Sequence, residues 1–401
     1  MENGPMAGRR WALVLAGGEG TRLQRLTREI CGAPVPKQYC RCLLGGRSLL
    51  EVTLDRVRHF TAIEHTVVIV NRDHLPFATD QLRALPRDNI IVQPCNRDTG
   101  PGLVFALEHV AQRDPKATIA VFPSDHFVDD DRKFVSYSQQ AAGIVSRLPE
   151  KVILLGIRPD HPESGYGYVT LSRRLRTSAA EGVAFRVGAF VEKPTHDGAR
   201  ELVEAGALWN SFVMVFRLRR MLELIRHVIP AEVHRIDELR EHRRVFTEGY
   251  HEITPWNFSS RVLARIPREL LVVPVEGVYW SDWGTRASIE CTLRALHRSP
   301  PWLARKLPAP AVVQPLKATP TVHVRSRAGT ARQGRRRAPA RTANAHASRW
   351  VGVGRMAAEP VGAVAGEGNP MLQAVPRHDR PPLATKSRRR RQSPWRCVAN
   401  A

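Results

Sequence analysis

The sequence predicts an α/β fold, a mostly parallel β-sheet with helices on both faces. Short apolar runs rich in Val and Ile recur through the first 300 residues, and longer amphipathic segments separate them. That alternation is the pattern of βαβ units around a buried parallel sheet. At 401 residues the chain can also bury a large core without relying on disulfides or structural metals.

Strands are expected at Trp11–Ala16, His65–Asn71, Asn89–Gln93, Thr118–Phe122 and Val152–Ile157. Helices are expected between them, at Ser48–Phe60 and Gly102–Arg113. From about Ser164 to Val275 the pattern is more mixed. Shorter strands are expected there at Gly167–Leu171 and Ala189–Val191, with helices at Asp197–Ala205 and Leu218–Val228. No internal repeat is visible, and the hexapeptide period of a left-handed β-helix is absent. After Trp302 the composition turns to Pro, Ala, Gly and Arg. Such a segment buries too little apolar surface to offset chain entropy. The expected organisation is a folded domain over residues 1–305 and a disordered basic tail over 306–401.

The formal charge of +23 is concentrated in that tail. Residues 301–401 hold 20 Lys and Arg against 3 Asp and Glu, which leaves 41 basic and 35 acidic residues in the first 300. A mildly basic body suits phosphorylated substrates. Nucleic acid is not an expected partner, because the tail carries only Trp302, Trp350 and Trp395 as aromatics and fits no recognition module. Any tail binding should be weak and salt-sensitive. The six cysteines form no CxxC pair, and Cys40 and Cys42 are too close for a usual zinc knuckle, so reduced thiols are expected. The apolar run after Arg9-Arg10 is short for a secretory signal, and no stretch has the length of a membrane span. A cytoplasmic location without membrane partners follows; a homo-oligomer is left open.

The strongest chemical signal is Leu15-Ala16-Gly17-Gly18-Glu19-Gly20-Thr21-Arg22-Leu23, directly after the first strand. Glycines there let the backbone approach a polyphosphate and present N–H groups to it. Arg22 adds a delocalised charge with several donors. The Walker A and dinucleotide patterns both fail, since no GK[ST] follows and Leu23 takes the third glycine position. Pro34 and Pro36 stiffen the approach to Lys37, a point charge for phosphate or else an ordinary surface lysine. Asp125 ends the run Thr118–Phe122, at the strand end where ligands bind in such sheets. It suits a hard cation such as Mg²⁺ or, equally, a helix cap.

LAGGxGTRL followed by Pro36-Lys37-Gln38-Tyr39 resembles the signature of the sugar-phosphate nucleotidyltransferases, in particular their mannose-1-phosphate guanylyltransferase branch. The resemblance covers about 300 residues. It continues in order through Arg97-Asp98-Thr99-Gly100-Pro101, Phe122-Pro123-Ser124-Asp125-His126, Tyr166-Gly167-Tyr168, Val191-Glu192-Lys193-Pro194, Trp209-Asn210-Ser211 and Ser281-Asp282-Trp283-Gly284-Thr285. It implies nucleotide binding by Leu15, Ala16, Gly17, Gly18, Gly20, Thr21, Arg97, Thr99 and Pro123, with Arg22 and Lys37 as catalytic cations. It also implies a sugar site of Gly167, Glu192, Lys193 and Asn210, and Mg²⁺ held by Asp125 and Asp282. Asp282 has its own alternative, as the cap of a helix starting near Arg286, and Glu192-Lys193 could be a surface ion pair. Two positions depart from the family pattern: Phe212 stands where Gly is common after Trp-Asn-Ser, and Asn257 where an acidic residue is common. No cupin isomerase domain is expected after residue 300.

The implied fold is Rossmann-like, with a sugar-binding subregion toward the C-terminal half. The implied reaction couples GTP and mannose 1-phosphate to GDP-mannose and pyrophosphate. The alternatives are a UTP- or dTTP-dependent glucose-1-phosphate enzyme and a non-catalytic nucleotide-binding regulator.

Overall fold

The computed structural model describes residues 9–175, 182–241 and 246–304. The expected tail over 306–401 lies outside the described residues. The strands are β1 (Arg10–Leu15), β2 (Thr66–Asn71), β3 (Ile90–Gln93), β4 (Thr118–Pro123), β5 (Phe127–Val128) and β6 (Val152–Ile157). They continue as β7 (Gly167–Arg174), β8 (Phe185–Glu192), β9 (Leu208–Arg217), β10 (Leu270–Val275) and β11 (Trp280–Ser281).

β1 divides its side chains between two cores. Trp11 and Leu13 join Leu103 and Leu107 of helix Thr99–Ala111, with Met221 and Ile225 of helix Leu218–Val228. Ala12 and Val14 join Leu50 and Val57 of helix Leu49–Val57, with Phe134 and Ala141 of helix Asp131–Arg147. Helices therefore cover both faces, and each fully buried Leu contributes about 1.5–3 kcal/mol. β2, β4 and β6 are buried at every residue, which is why their sequences show no polar alternation. Local chemistry sets the helix starts. Ser48 and Glu51 form a reciprocal capping box, and the Asp130 carboxylate accepts from the Lys133 N–H.

The expectation of a mostly parallel sheet needs correcting. Among the described residues one nine-stranded sheet runs β3-β2-β1-β4-β9-β6-β10-β8-β7. The pairs β1–β2, β1–β4, β2–β3 and β6–β10 are parallel. The pairs β4–β9, β6–β9, β8–β10, β7–β8 and β7–β9 are antiparallel. The run β3-β2-β1-β4 is thus parallel throughout, but the sheet does not continue as the Rossmann-like arrangement expected. The reason lies in the connections. β8 ends beside Gly167, and β9 starts with Trp209 paired to both Tyr168 and Ile157. After the connection that carries helix His196–Glu204, β9 therefore enters beside the carboxyl end of β6 and runs antiparallel to both β6 and β4. β7 pairs with both β8 and β9, so the pairings β9-β6-β10-β8-β7 close into a ring.

Register brings three strand ends to one level: Leu15 pairs with Ile69 of β2 and with Pro123 of β4. The segments leaving β1, β2 and β4 at their carboxyl ends are therefore neighbours. A third hydrophobic cluster holds them from outside. It packs Leu23 and Leu26 of the first helical segment with Leu43, Phe127, Trp283 and Leu293 of helix Arg286–Ala295.

Candidate active site

The glycine segment leaves β1 and is clamped from beneath by the residues that follow Lys37. Gln38 donates to the Ala16 and Gly18 carbonyls at 3.1 and 2.7 Å, and the Tyr39 hydroxyl donates to Ala16 at 2.7 Å. From the side, Asn71 Nδ2 donates to the Gly17 carbonyl at 2.7 Å and to Glu19 Oε1 at 2.9 Å. Two glycines are required by geometry. A Cβ on Gly17 would lie 2.6 Å from Gln93 Nε2, and Gly20 has φ +59° with the Lys37 backbone N–H close behind.

Lys37 is only 5% exposed, so it is not a surface lysine. Its Nζ lies 3.1 Å from Asp125 Oδ2 and donates to the main-chain carbonyls of Asp282 and, at 3.4 Å, Trp283. This one ammonium ties the end of β4 to the segment after β11. Neither aspartate is a helix cap. Asp130 caps the helix after Asp125, and Thr285 with Ser288 caps the helix after Asp282. Asp282 Oδ1 accepts from the Tyr166 hydroxyl at 2.6 Å and the Gly284 N–H at 2.7 Å, and its Oδ2 lies 3.6 Å from Arg22 Nη2. The Arg22 side chain keeps 67% of its surface exposed.

Burial works to raise the Asp125 carboxyl, but Lys37 overrides it and holds the group below the usual carboxylate range. Burial lowers the neighbouring His126 imidazole, and Lys37 adds to this against the pull of Asp125. Burial, with the Asp282 charge beside it, raises the Tyr166 phenol, so it stays a donor. Burial raises the Glu192 carboxyl despite the adjacent Lys193.

The expected sugar-side residues gather next to this cluster. Gly167 pairs with Glu192 across β7 and β8, and a Cβ on Gly167 would meet Glu192 Oε2 at 2.5 Å. The Lys193 N–H donates to the Tyr166 carbonyl at 3.1 Å, so Tyr166 joins the Glu192-Lys193 turn to Asp282. Asn210 pairs with Gly156 of β6, and its Oδ1 accepts from the Phe212 N–H at 3.2 Å. Phe212 has φ +58°, the backbone state for which the family's common glycine is suited. Its ring packs edge-on to Phe258, 6.3 Å between centroids. Asp98, Lys193 and Trp283 also hold positive φ, and strained backbone of this kind concentrates at functional sites.

Arg97 and Thr99 are not brought into the Lys37 cluster. Arg97 donates to the carbonyls of Tyr250 and His251, and Thr99 Oγ1 accepts from Phe258 N–H at 2.9 Å. They are linked to the glycine segment through Gln93, which receives the Tyr250 hydroxyl at 3.0 Å and donates to Asn71 Oδ1. Leu15 and Pro123 are paired sheet residues, Thr21 opens the short helical turn that carries Arg22, and among the described residues nothing beyond its chain neighbours lies within 4 Å of a Cβ built on Gly18. Sequence reasoning missed Asn71 and Gln93, and it quoted Tyr166 in a motif without giving its side chain a role. Asn71 and Gln93 are polar residues ending apolar runs, the same signal that singled out Asp125.

A cleft of about 1020 Å³ opens beside this cluster, lined by Arg22, Glu163, Tyr166, Trp209, Trp280 and Asp282 among others. The indole N–H groups of Trp209 and Trp280 are buried without a hydrogen-bond partner. The sequence profile of the nucleotidyl transferase family matches residues 11–298. The chain belongs to that family. This nucleotidyl transferase is 32% identical over 297 residues to mannose-1-phosphate guanylyltransferase of Escherichia coli K12, covering 70% of this chain and 59% of that protein. It is 31% identical over 288 residues to the alginate biosynthesis protein AlgA of Pseudomonas putida, covering 69% and 56%. The chain thus spans under two thirds of the length of these relatives. A crystal structure described as mannose-1-phosphate geranyltransferase from Thermus thermophilus superposes with a TM-score of 0.60 at 28% identity, covering 73% of this chain and 80% of that one. No helix among the described residues is long and apolar enough to cross a membrane.

Proposed function

We propose that this nucleotidyl transferase joins a sugar 1-phosphate to a nucleoside triphosphate, with GTP and mannose 1-phosphate as the pair and GDP-mannose and pyrophosphate as products. The observation that carries the reading is Lys37, buried between Asp125 and the Asp282 segment directly beneath the glycine turn. In the reaction an oxygen of the sugar 1-phosphate attacks the α-phosphorus in line with departing pyrophosphate. The nucleophile is already an anion, so positioning and charge neutralisation supply the rate.

On this reading Leu15, Ala16, Gly17, Gly18, Gly20 and Thr21 cradle the nucleotide, and Arg97, Thr99 and Pro123 support it. Arg22, on the exposed side of Asp282, neutralises charge on the pyrophosphate, and Lys37 holds the reacting phosphates together. Gly167, Glu192, Lys193 and Asn210 take the sugar phosphate, where the unpartnered Trp209 and Trp280 N–H groups are further donors. Asp125 and Asp282 fit Mg²⁺: both offer hard oxygen donors, and Lys37 keeps Asp125 ionised. Mg²⁺ would supply charge neutralisation across the phosphates. The domain assigned to this activity is residues 1–305, in the cytoplasm, with 306–401 as a dispensable tail.

The names of the relatives at about 30% identity support guanylyl transfer to mannose. A glucose-1-phosphate specificity with UTP or dTTP is the second reading, since Phe212 and Asn257 depart from the residues common in the family on the sugar side. Pyrophosphate release, measured over a matrix of triphosphates and sugar 1-phosphates, decides between them. Release with no pair sinks the catalytic proposal. Release with UTP and glucose 1-phosphate alone sinks only the specificity.

A further inference from the structure

Three of the scattered cysteines converge. Cys31 ends helix Gln24–Cys31, Cys40 follows the Lys37–Tyr39 turn, and Cys42 lies in the next turn, Arg41–Leu44. Their spacing in the sequence carries no sign of this, because a helix C-terminus and two short turns had to fold together first. The three Sγ atoms lie within 4.8 Å of one another, with Cys31 and Cys40 3.0 Å apart. Cys40 is buried, Cys31 half-buried and Cys42 exposed. We infer that Cys31, Cys40 and Cys42 form a binding site for one thiophilic metal cation of the Zn²⁺ class.

Sulfurs bound to one tetrahedral zinc at about 2.3 Å lie about 3.8 Å from each other, so the observed spacing needs only small side-chain adjustments. Soft thiolates select such cations over Mg²⁺. The surroundings agree. Cys40 belongs to an apolar cluster with Leu23, Leu26 and Leu43, and such a shell shields a metal–thiolate centre from water. Arg41, between two of the ligands, is drawn away into ion pairs with Glu51 and Asp80, leaving the thiolate charge to the metal. Burial raises the Cys31 thiol, and Cys40 and Cys42 raise it further. A bound cation reverses that penalty: each thiol releases its proton to solvent as its sulfur takes up the metal. The exposed side at Cys42 leaves the fourth position to water or a small external thiol. A Cys31–Cys40 disulfide would be the competing chemistry, but it gives Cys42 no role, whereas the cation uses all three sulfurs.

The test uses the full-length, tag-free chain, reduced and stripped with chelator, in excess Mg²⁺ to occupy oxygen-donor sites. Titration with Co²⁺ should produce a thiolate-to-cobalt charge-transfer band that saturates at one equivalent and disappears on adding Zn²⁺. Cys42→Ser, at an exposed position, and Cys31→Ser should each abolish the band. Each should weaken Zn²⁺ binding by more than about 100-fold, beyond what losing an outer-shell partner costs. Cys95→Ser serves as the control and should behave as wild type. Zn²⁺ should raise the melting temperature of wild type but not of Cys42→Ser. Absence of the band, or its survival in Cys42→Ser, overturns the inference. So does peptide mapping that finds a Cys31–Cys40 disulfide in the untreated protein. Every readout is independent of nucleotidyl transfer, so failure here leaves the proposed reaction standing.

Discussion

Replacing Lys37 by Met tests whether its ammonium is both structural and catalytic, since Met keeps most of the volume and removes the charge. In the native protein that charge satisfies Asp125 Oδ2 at 3.1 Å and two main-chain carbonyls. Breaking a fully buried ion pair costs about 3–5 kcal/mol, and an orphaned carbonyl adds about 1–3 kcal/mol. The Asp125 side chain keeps 35% of its surface exposed, so water relieves part of the loss. The expected destabilisation is about 2–4 kcal/mol, read as a lower urea midpoint at unchanged slope. The effect should also depend on pH. A carboxyl depressed by folding contributes stability present above the unfolded value, about 3.9, and lost as pH falls through its lower folded value. Without Lys37 the main opposition to burial is gone and the Asp125 carboxyl moves up, so this group loses less stability in acid and the gap between variant and wild type should narrow as pH falls below about 3.9. The chemical step should slow by well over tenfold, at least about 1.4 kcal/mol of transition-state stabilisation. A variant with the wild-type urea midpoint and acid profile would refute the structural argument. One with unchanged kcat/KM would remove Lys37 from the mechanism.

Asp125→Asn keeps the shape of the carboxylate and loses its charge; turnover should fall far more than binding of metal-free sugar phosphate, and near-normal rates at ordinary Mg²⁺ would exclude a ligand role. Arg22→Ala removes an exposed side chain, so the melting temperature should stay at the wild-type value while turnover drops more than tenfold, at least about 1.4 kcal/mol. Glu192→Gln acts on a carboxyl that folding raises, whose ionisation costs stability above its folded pKa and nothing below the unfolded one; thermal scans at pH 7–8 should show the variant no less stable, while its KM for sugar 1-phosphate rises. Truncation after Lys306 should leave a folded, active enzyme, and loss of activity or of the assembly state would place the tail in the working protein.

The elements legible in the sequence were those set by local pattern. Val152–Ile157 and Leu218–Val228 fall at the residues expected, and the β1, β2 and β4 runs agree to within a residue at each end. β9 was not legible as a strand. The polar pair Asn210-Ser211 breaks its apolar run near the start, and only its motif Trp209-Asn210-Ser211 drew notice. The site motifs were legible as chemistry but not as contacts. Gln38 and Tyr39 turned out to hold the glycine turn from below, and Lys37 to be buried, because those pairings join residues far apart in sequence. The thiol cluster was invisible because a helix end and two short turns had to fold together before Cys31, Cys40 and Cys42 could meet.

The antiparallel strand has a consequence for biosynthesis. β4 and β6 are complete once residue 157 has been made, yet the strand that lies between them comes only with residues 208–217. Until then both present apolar edges with open backbone hydrogen-bonding groups, the state most prone to pairing with another chain. At synthesis rates of about 5–20 residues per second, the gap lasts several seconds on the ribosome. A nascent chain stalled before residue 208 is therefore a form of this protein exposed to aggregation, and β9 is the strand whose arrival closes the gap between β4 and β6.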